Sequence, residues 1–215
     1  MPRAFSKLAF TPAVRSHQTR MGSAATYEKF ISGGPEQGHE IGPTELAFIE
    51  ERDGFYQASV SETGWPYVQY RGGSAGFLRV LDARTIAYDD FSGNRQYISR
   101  GNLDGNDRVA LILMDYANRR RLKILGRVQF TEGAPGDATA QAPVERSVTI
   151  HVEALDWNCP QHITPRFTAA ELAPQLHEFG KQIGTLETEN KRLRQELAKA
   201  REAAAPYARG NRPLL

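Results

Sequence analysis

The sequence predicts a mainly β domain with flanking helices, followed by one long C-terminal helix. Three observations carry this. From Pro66 to Gly126 the chain reads as a run of antiparallel strands punctuated by glycines. Two later stretches, Arg119 to Phe130 and Val144 to Leu155, alternate strictly between apolar and polar residues, the period of a half-buried strand. From Leu172 to Ala200 the apolar period lengthens to a heptad, which only a helix can present as one stripe.

Taken in order, residues 1–43 form an N-terminal arm carrying Arg3, Lys7, Arg15 and Arg20. Up to Tyr27 the arm has no acidic residue, like an organelle transit peptide, but it runs unbroken into the domain and reads as an arm lying over the barrel or a partner. Pro43-Thr44-Glu45 opens a short amphipathic helix, with Thr44 as its expected N-cap and Leu46, Ile49 and Phe48 on its buried side. Asp53-Gly54 stops it. Phe55 to Ser61 is the first strand, and Glu62-Thr63-Gly64 turns the chain into Tyr67 to Gly73. Phe77 to Val80 and Thr85 to Tyr88 flank a turn at Asp82-Ala83 and make a hairpin. Asp89 to Arg95 interrupts the strands, a short helical segment runs to about Leu103, and Val109 to Met114 is an apolar run expected to be buried on both faces.

In the next strand Leu122, Ile124, Val128 and Phe130 share one face, and Arg121, Lys123 and Arg127 the other. A strand of that kind is suited to hold an anion. Residues 132–143 lack periodicity and read as a surface loop; the last strand then turns Val148, Ile150, Val152 and Ala154 inward. Trp157 to Arg166 contains two prolines and cannot be regular.

The C-terminal helix is expected over 168–204, with a loose tail at 205–215. Leu176, Ile183, Asn190 and Leu197 occupy a positions, and Leu172, Phe179, Leu186, Leu193 and Ala200 occupy d positions. Gly180 and Gly184 each cost about 1 kcal/mol against alanine, so the firm part of the seam begins near Thr185. Asn190 and the Glu189–Arg194 and Glu196–Arg201 spacings predict a parallel two-stranded coiled coil with a second subunit.

The formal charge of +2 implies neither nucleic acid nor a membrane surface as partner. No apolar run approaches the roughly 20 residues that span a bilayer. A single cysteine, Cys159, rules out an intramolecular disulfide and suits a reducing compartment, so a soluble, cytoplasmic protein is expected. Paired carboxylates, a Ser-His-Asp set and metal-ligand spacings are all missing, which argues against hydrolytic or metal catalysis.

Arg71-Gly72-Gly73, Gly76 to Asp82, Gly93-Asn94-Arg95 and Asn158 to Ile163, in this order, resemble motifs of the pyridoxamine 5'-phosphate oxidase-like FMN-binding split barrels. The resemblance covers Glu45 to Phe167. It implies a six-stranded antiparallel Greek-key split barrel over 44–167, a homodimer, and FMN bound at the subunit interface. It further implies that Asn94 and Arg95, with Arg121 or Lys123, hold the FMN phosphate, which arginine suits through its bidentate fork. Tyr88 and Asp89 match the family's segment near the flavin and ribityl chain, and Trp157 and Arg166 match a Trp and an Arg that contact FMN. Gln69, Tyr70 and Arg71, ahead of two glycines, would let the backbone approach a flat ring.

One departure is specific. Gly72-Gly73-Ser74 stands where oxidases of pyridoxine phosphate carry a substrate-binding lysine, so that reaction is not expected. Two classes stay open: an FMN-dependent oxidoreductase using a reduced nicotinamide and a small acceptor, or a non-catalytic flavin or haem carrier or sensor. FMN and a deazaflavin are likewise not distinguished.

Overall fold

A computed structural model of the chain describes residues 3–133, 143–157 and 160–209, with side chains through residue 203. It divides into two units, Met1–Pro165 and Arg166–Leu215.

In the first unit, three short helices, α1 (Ala4–Ala9), α2 (Pro12–Arg20) and α3 (Ala24–Glu28), precede α4 (Pro43–Glu50). The strands are β1 (Gly54–Val60), β2 (Pro66–Gly72), β3 (Arg79–Asp82), β4 (Thr85–Phe91), β5 (Arg108–Asp115), β6 (Arg120–Glu132) and β7 (Val144–Trp157), with α5 (Ile98–Gly105) between β4 and β5. All pair antiparallel in one seven-stranded sheet of order β2-β1-β5-β6-β7-β4-β3. The count is therefore seven where the resemblance implied six, the short strand β3 being closed onto β4 by a turn in which Asp82 Oδ1 accepts the Arg84 N–H at 2.7 Å.

The period-2 patterns are obeyed. Leu122, Ile124 and Val128 of β6 and Val148, Ile150, Val152 and Ala154 of β7 form the buried face. Phe48 and Ile49 of α4 close one end of this core. The cap of α4 is Gly42 rather than Thr44, and Leu46 is exposed: Pro43 fixes the first helical φ, which moves the start two residues upstream. Glu45 Oε2 accepts the Gly42 N–H at 3.1 Å.

β5 corrects a second expectation. Of its apolar run Val109, Leu111 and Leu113 are buried, whereas Ala110, Ile112 and Met114 are half-exposed, because among the described residues no layer of this unit covers the outer face. β1 and β4, separated in the sheet by three strands, meet across the interior where Phe55 lies edge-on to Tyr88 at 5.3 Å. The sheet curls until its two flanking hairpins touch.

α1 packs on β7, with Arg3 3.7 Å from Asp156 and the Lys123 ammonium 4.5 Å from the Phe5 ring.

The second unit is α6 (Ala169–Arg209), opened by a reciprocal cap between Thr168 and Glu171. α6 runs five residues past the expected end at 204, through Pro206. No helix among the described residues is long and apolar enough to cross a membrane.

Candidate functional site

Where β2, β4 and the first turn of α5 converge, a cavity of about 200 Å³ opens. β2 contributes Tyr67, Gln69 and Arg71 from one face, as alternate residues of a strand must. β4 contributes Asp90, β7 contributes Arg146, and the connection into α5 contributes Asn94, Arg95 and Tyr97.

That connection is bent in an unusual way. Arg95 (φ 62°) and Tyr97 (φ 52°), two positions apart and neither a glycine, both adopt the left-handed conformation. Each costs on the order of 1 to 2 kcal/mol and persists only where neighbours enforce it, as at binding sites. Asn94 Oδ1 accepts the Gln96 N–H at 3.2 Å and holds the bend. Tyr97 then caps α5, so the helix opens toward the cavity with its unpaired N–H groups and positive dipole end.

Asp90 organises the cavity floor. Its two oxygens take Arg71 and, at 2.9 Å, Arg146, which is only 8% exposed. Burial alone would lower the Arg146 pKa; Asp90 and Glu132 outweigh it, the net direction is upward, and Arg146 stays cationic. Glu145 accepts from Arg146 at 2.9 Å and from Tyr97 Oη at 3.2 Å. Arg71 Nε is buried and has no hydrogen-bond partner among the described residues. Among the described residues, the guanidinium groups of Arg71, Arg95, Arg100 and Arg146 line a cavity to which Asp90 and Glu145 supply the only carboxylates. Such a donor set fits the phosphate of a flavin nucleotide.

The predicted residues divide among several places. Gln69, Arg71, Asn94 and Arg95 come together in this cavity, and Ser99 donates to Gln69 Oε1 at 2.8 Å. Tyr70 points to the opposite, outer face of β2, 56% exposed and edge-on to Tyr56 at 5.4 Å. Tyr88 is buried, and its hydroxyl donates to Gln57 Oε1 at 2.8 Å. Asp89 is held by the Arg79 fork at 2.9 and 3.1 Å. Tyr70, Tyr88 and Asp89 border a second cavity of about 180 Å³ that shares Arg71 and Asp90 with the first.

Arg121 and Lys123 do not join Arg95 within one protomer. They sit near the start of β6, whereas β6 reaches the cavity's Arg146 at its other end, where Glu132 accepts from Arg146 at 3.4 Å; at strand rise the two ends are roughly 35 Å apart. Lys123 is paired with Asp156 at 2.6 Å. Trp157 is half-buried, donating through Nε1 to Glu45 at 2.7 Å and packing edge-on to Phe48 at 4.8 Å, a plug at the core's end. Arg166 begins the second unit, and Asn158 and Cys159 lie outside the described residues.

Sequence reasoning missed Asp90, Tyr97 and Arg146. A signal existed for the last: Arg146 falls in the inward phase of Val148, Ile150 and Val152, and a cation in that phase needs a buried counter-charge. Among the described residues no group of His, Cys, Asp or Glu is arranged to hold a metal ion.

The sequence profile described as pyridoxamine 5'-phosphate oxidase matches residues 41–175, spanning α4, all seven strands and the start of α6. The chain belongs to the pyridoxamine 5'-phosphate oxidase family. No curated protein matches the sequence. Solved structures similar to this family member include HupZ of Group A Streptococcus (17% identity, covering 59% of this chain and 99% of that one, TM-score 0.45). The heme storage protein HutZ of Vibrio cholerae shows 15% identity over 54% of this chain and 93% of its own, with a TM-score of 0.36. An FMN-binding protein of Syntrophomonas wolfei shows 10% identity over 68% and 95%, with a TM-score of 0.38. At these values the likeness carries no residue role over to this family member.

Proposed function

We propose that this family member is a homodimeric FMN-binding flavoprotein acting as an FMN-dependent oxidoreductase, with a reduced nicotinamide as donor and a small acceptor. The observation that carries the reading is the strained, arginine-lined turn into α5 in a chain of this family. Asn94, Arg95 and the first N–H groups of α5 receive the phosphate, and Arg71 Nε supplies a further buried donor.

Each cavity is smaller than the roughly 300 Å³ at which ligand pockets ordinarily begin. A second subunit supplies the rest of the enclosure. The outer face of the sheet supports this. Tyr70, Tyr56, Ile112 and Lys123 stand in register across β2, β1, β5 and β6, as do Val68, Ala58, Ala110 and Leu125. This face is aromatic and aliphatic at β2, with Trp65 76% exposed beside it, and cationic at β6. Packed against a second copy, it brings Arg121 to the partner's cavity, while Lys123 remains with Asp156.

When bound, FMN supplies hydride acceptance and donation, which no side chain here can perform. The protein's part is to fix the phosphate, bring the backbone at Gly72, the last residue of β2, and Gly73 close to the ring, and exclude water at the subunit contact. Gly72-Gly73-Ser74 offers no cation for a phosphorylated substrate, so pyridoxamine phosphate is a poor substrate in this reading.

The test is the absorption spectrum and released cofactor of the purified protein, followed by anaerobic mixing with reduced nicotinamide. Bound FMN that bleaches supports the proposal. FMN that bleaches with neither nicotinamide marks a carrier or sensor, and released haem or deazaflavin overturns the cofactor assignment.

A further inference from the structure

We propose that α6 is a second, independent dimerisation element, a parallel two-stranded coiled coil with α6 of another copy, in register through Asn190. The proposal does not rest on the flavin reading.

In the second unit every large apolar residue of the heptad is exposed: Leu172, Leu176, Phe179, Ile183, Leu186, Leu193 and Leu197, with Leu186 at 67%. They fall at a and d positions on one stripe of a 41-residue helix, which at helical rise is on the order of 60 Å long. A stripe that narrow is a seam for one other helix, since packing onto a globular core takes a broader apolar face.

Charge identifies the occupant. Residues flanking the seam on the g side are Gln182, Glu189 and Glu196; on the e side they are Gly180, Glu187, Arg194 and Arg201. In a parallel in-register pair each g residue faces the e residue five positions on in the other chain, giving Glu189 opposite Arg194 and Glu196 opposite Arg201 on both flanks. In an antiparallel pair g faces g, which sets glutamates against glutamate or glutamine in any register. Its e residues then face each other and can pair Glu187 with Arg194 or Arg201, so the antiparallel arrangement gains on one flank and loses on the other, whereas the parallel one gains on both. Asn190, at an a position and exposed, finds its hydrogen-bond partner in the same residue of the other copy, which favours two strands and one register. In the single helix Arg192 holds Glu189 at 2.6 Å and Glu196 at 3.8 Å from the outer c position, so both glutamates already lie on the flank of the seam.

The experiment uses full-length variants with flavin content read from the spectrum throughout. Oxidised Leu193→Cys protein should run as a covalent dimer, and so should Leu176→Cys, while the parent with Cys159 alone should not. Mixed Leu176→Cys and Leu197→Cys proteins should give no hybrid crosslink. Reversing Arg194 and Arg201 to Glu together should weaken dimerisation on the order of tenfold, and adding Glu189→Arg and Glu196→Arg should restore it. A hybrid 176–197 crosslink, absence of the same-position crosslinks, or no rescue by the second charge reversal would overturn the proposal. Flavin retained in a variant that has lost the crosslink leaves the flavin reading standing, so the two can fail separately.

Discussion

The Tyr88 hydroxyl donates a hydrogen bond to Gln57 Oε1 at 2.8 Å across the interior, although three strands lie between β4 and β1 in the sheet. Burial, the largest influence, pushes the Tyr88 pKa up to about 12. An unfolded tyrosine titrates near 10, so between pH 10 and 12 the folded state binds more protons than the unfolded one. Stability from this group is present in full below about pH 10 and is lost as pH rises through 12, a fall of about 3 kcal/mol. Denaturant midpoints measured from pH 9 to 12 should fall more steeply in the parent than in Tyr88→Phe. Equal slopes would sink the assignment.

Asp90 is the counter-ion of two largely buried guanidinium groups. Asp90→Asn keeps the shape and removes the charge, leaving Arg71 without its counter-ion and Arg146 with only Glu132 and Glu145. A loss of about 3 kcal/mol or more is expected in urea unfolding, together with weaker FMN binding. A loss below about 1 kcal/mol would show that solvent already screens the cluster.

Arg95→Ala and Arg121→Ala should each lower FMN affinity roughly tenfold to a hundredfold. Because Arg95 and Arg121 belong to opposite ends of one protomer, the two variants should complement each other. Hybrid dimers carry one site with both lesions and one with neither, so co-expression should recover high-affinity flavin in a fraction of sites. No recovery on titration would place both residues in the same protomer's site.

Gly126 lies at the register shift between β6 and β7, where an added Cβ would stand 2.6 Å from the His151 carbonyl oxygen and 2.7 Å from Ile150. Gly126→Ala should therefore push the two strands apart, at about 1 to 3 kcal/mol, read as a drop in Tm. An unchanged Tm would mean that the bulge absorbs the methyl group.

The strands were legible because a half-buried strand advertises itself by period 2, as Leu122 to Phe130 does. α4 was legible as a helix but not in its start, since the dihedral restriction of Pro43 outweighs the hydrogen-bonding preference of Thr44. The outer face of β5 could not be read locally: Ile112 is apolar, and whether anything covers it depends on chains or layers far away in sequence. At the site, Asn94 and Arg95 came from a motif, and their left-handed turn has no glycine at Arg95 or Tyr97 to announce it. The partner of Lys123 was hidden because Asp156 reaches it only through β6–β7 pairing.

The strand order also dictates a sequence of events in time. β5, β6 and β7 pair as neighbours along the chain, and each flanking hairpin closes locally, but β1 can only join at β5 and β4 only at β7. Phe55 meets Leu113 and Thr85 meets His151, closures over roughly sixty residues whose entropy is lost before any contact compensates for it. The central meander is then the platform on which both hairpins land, and the Tyr88–Gln57 bond, which needs both in place, is the last to form. Stopped-flow chevrons should show Ile124→Val slowing refolding, while Tyr88→Phe leaves refolding nearly unchanged and speeds unfolding.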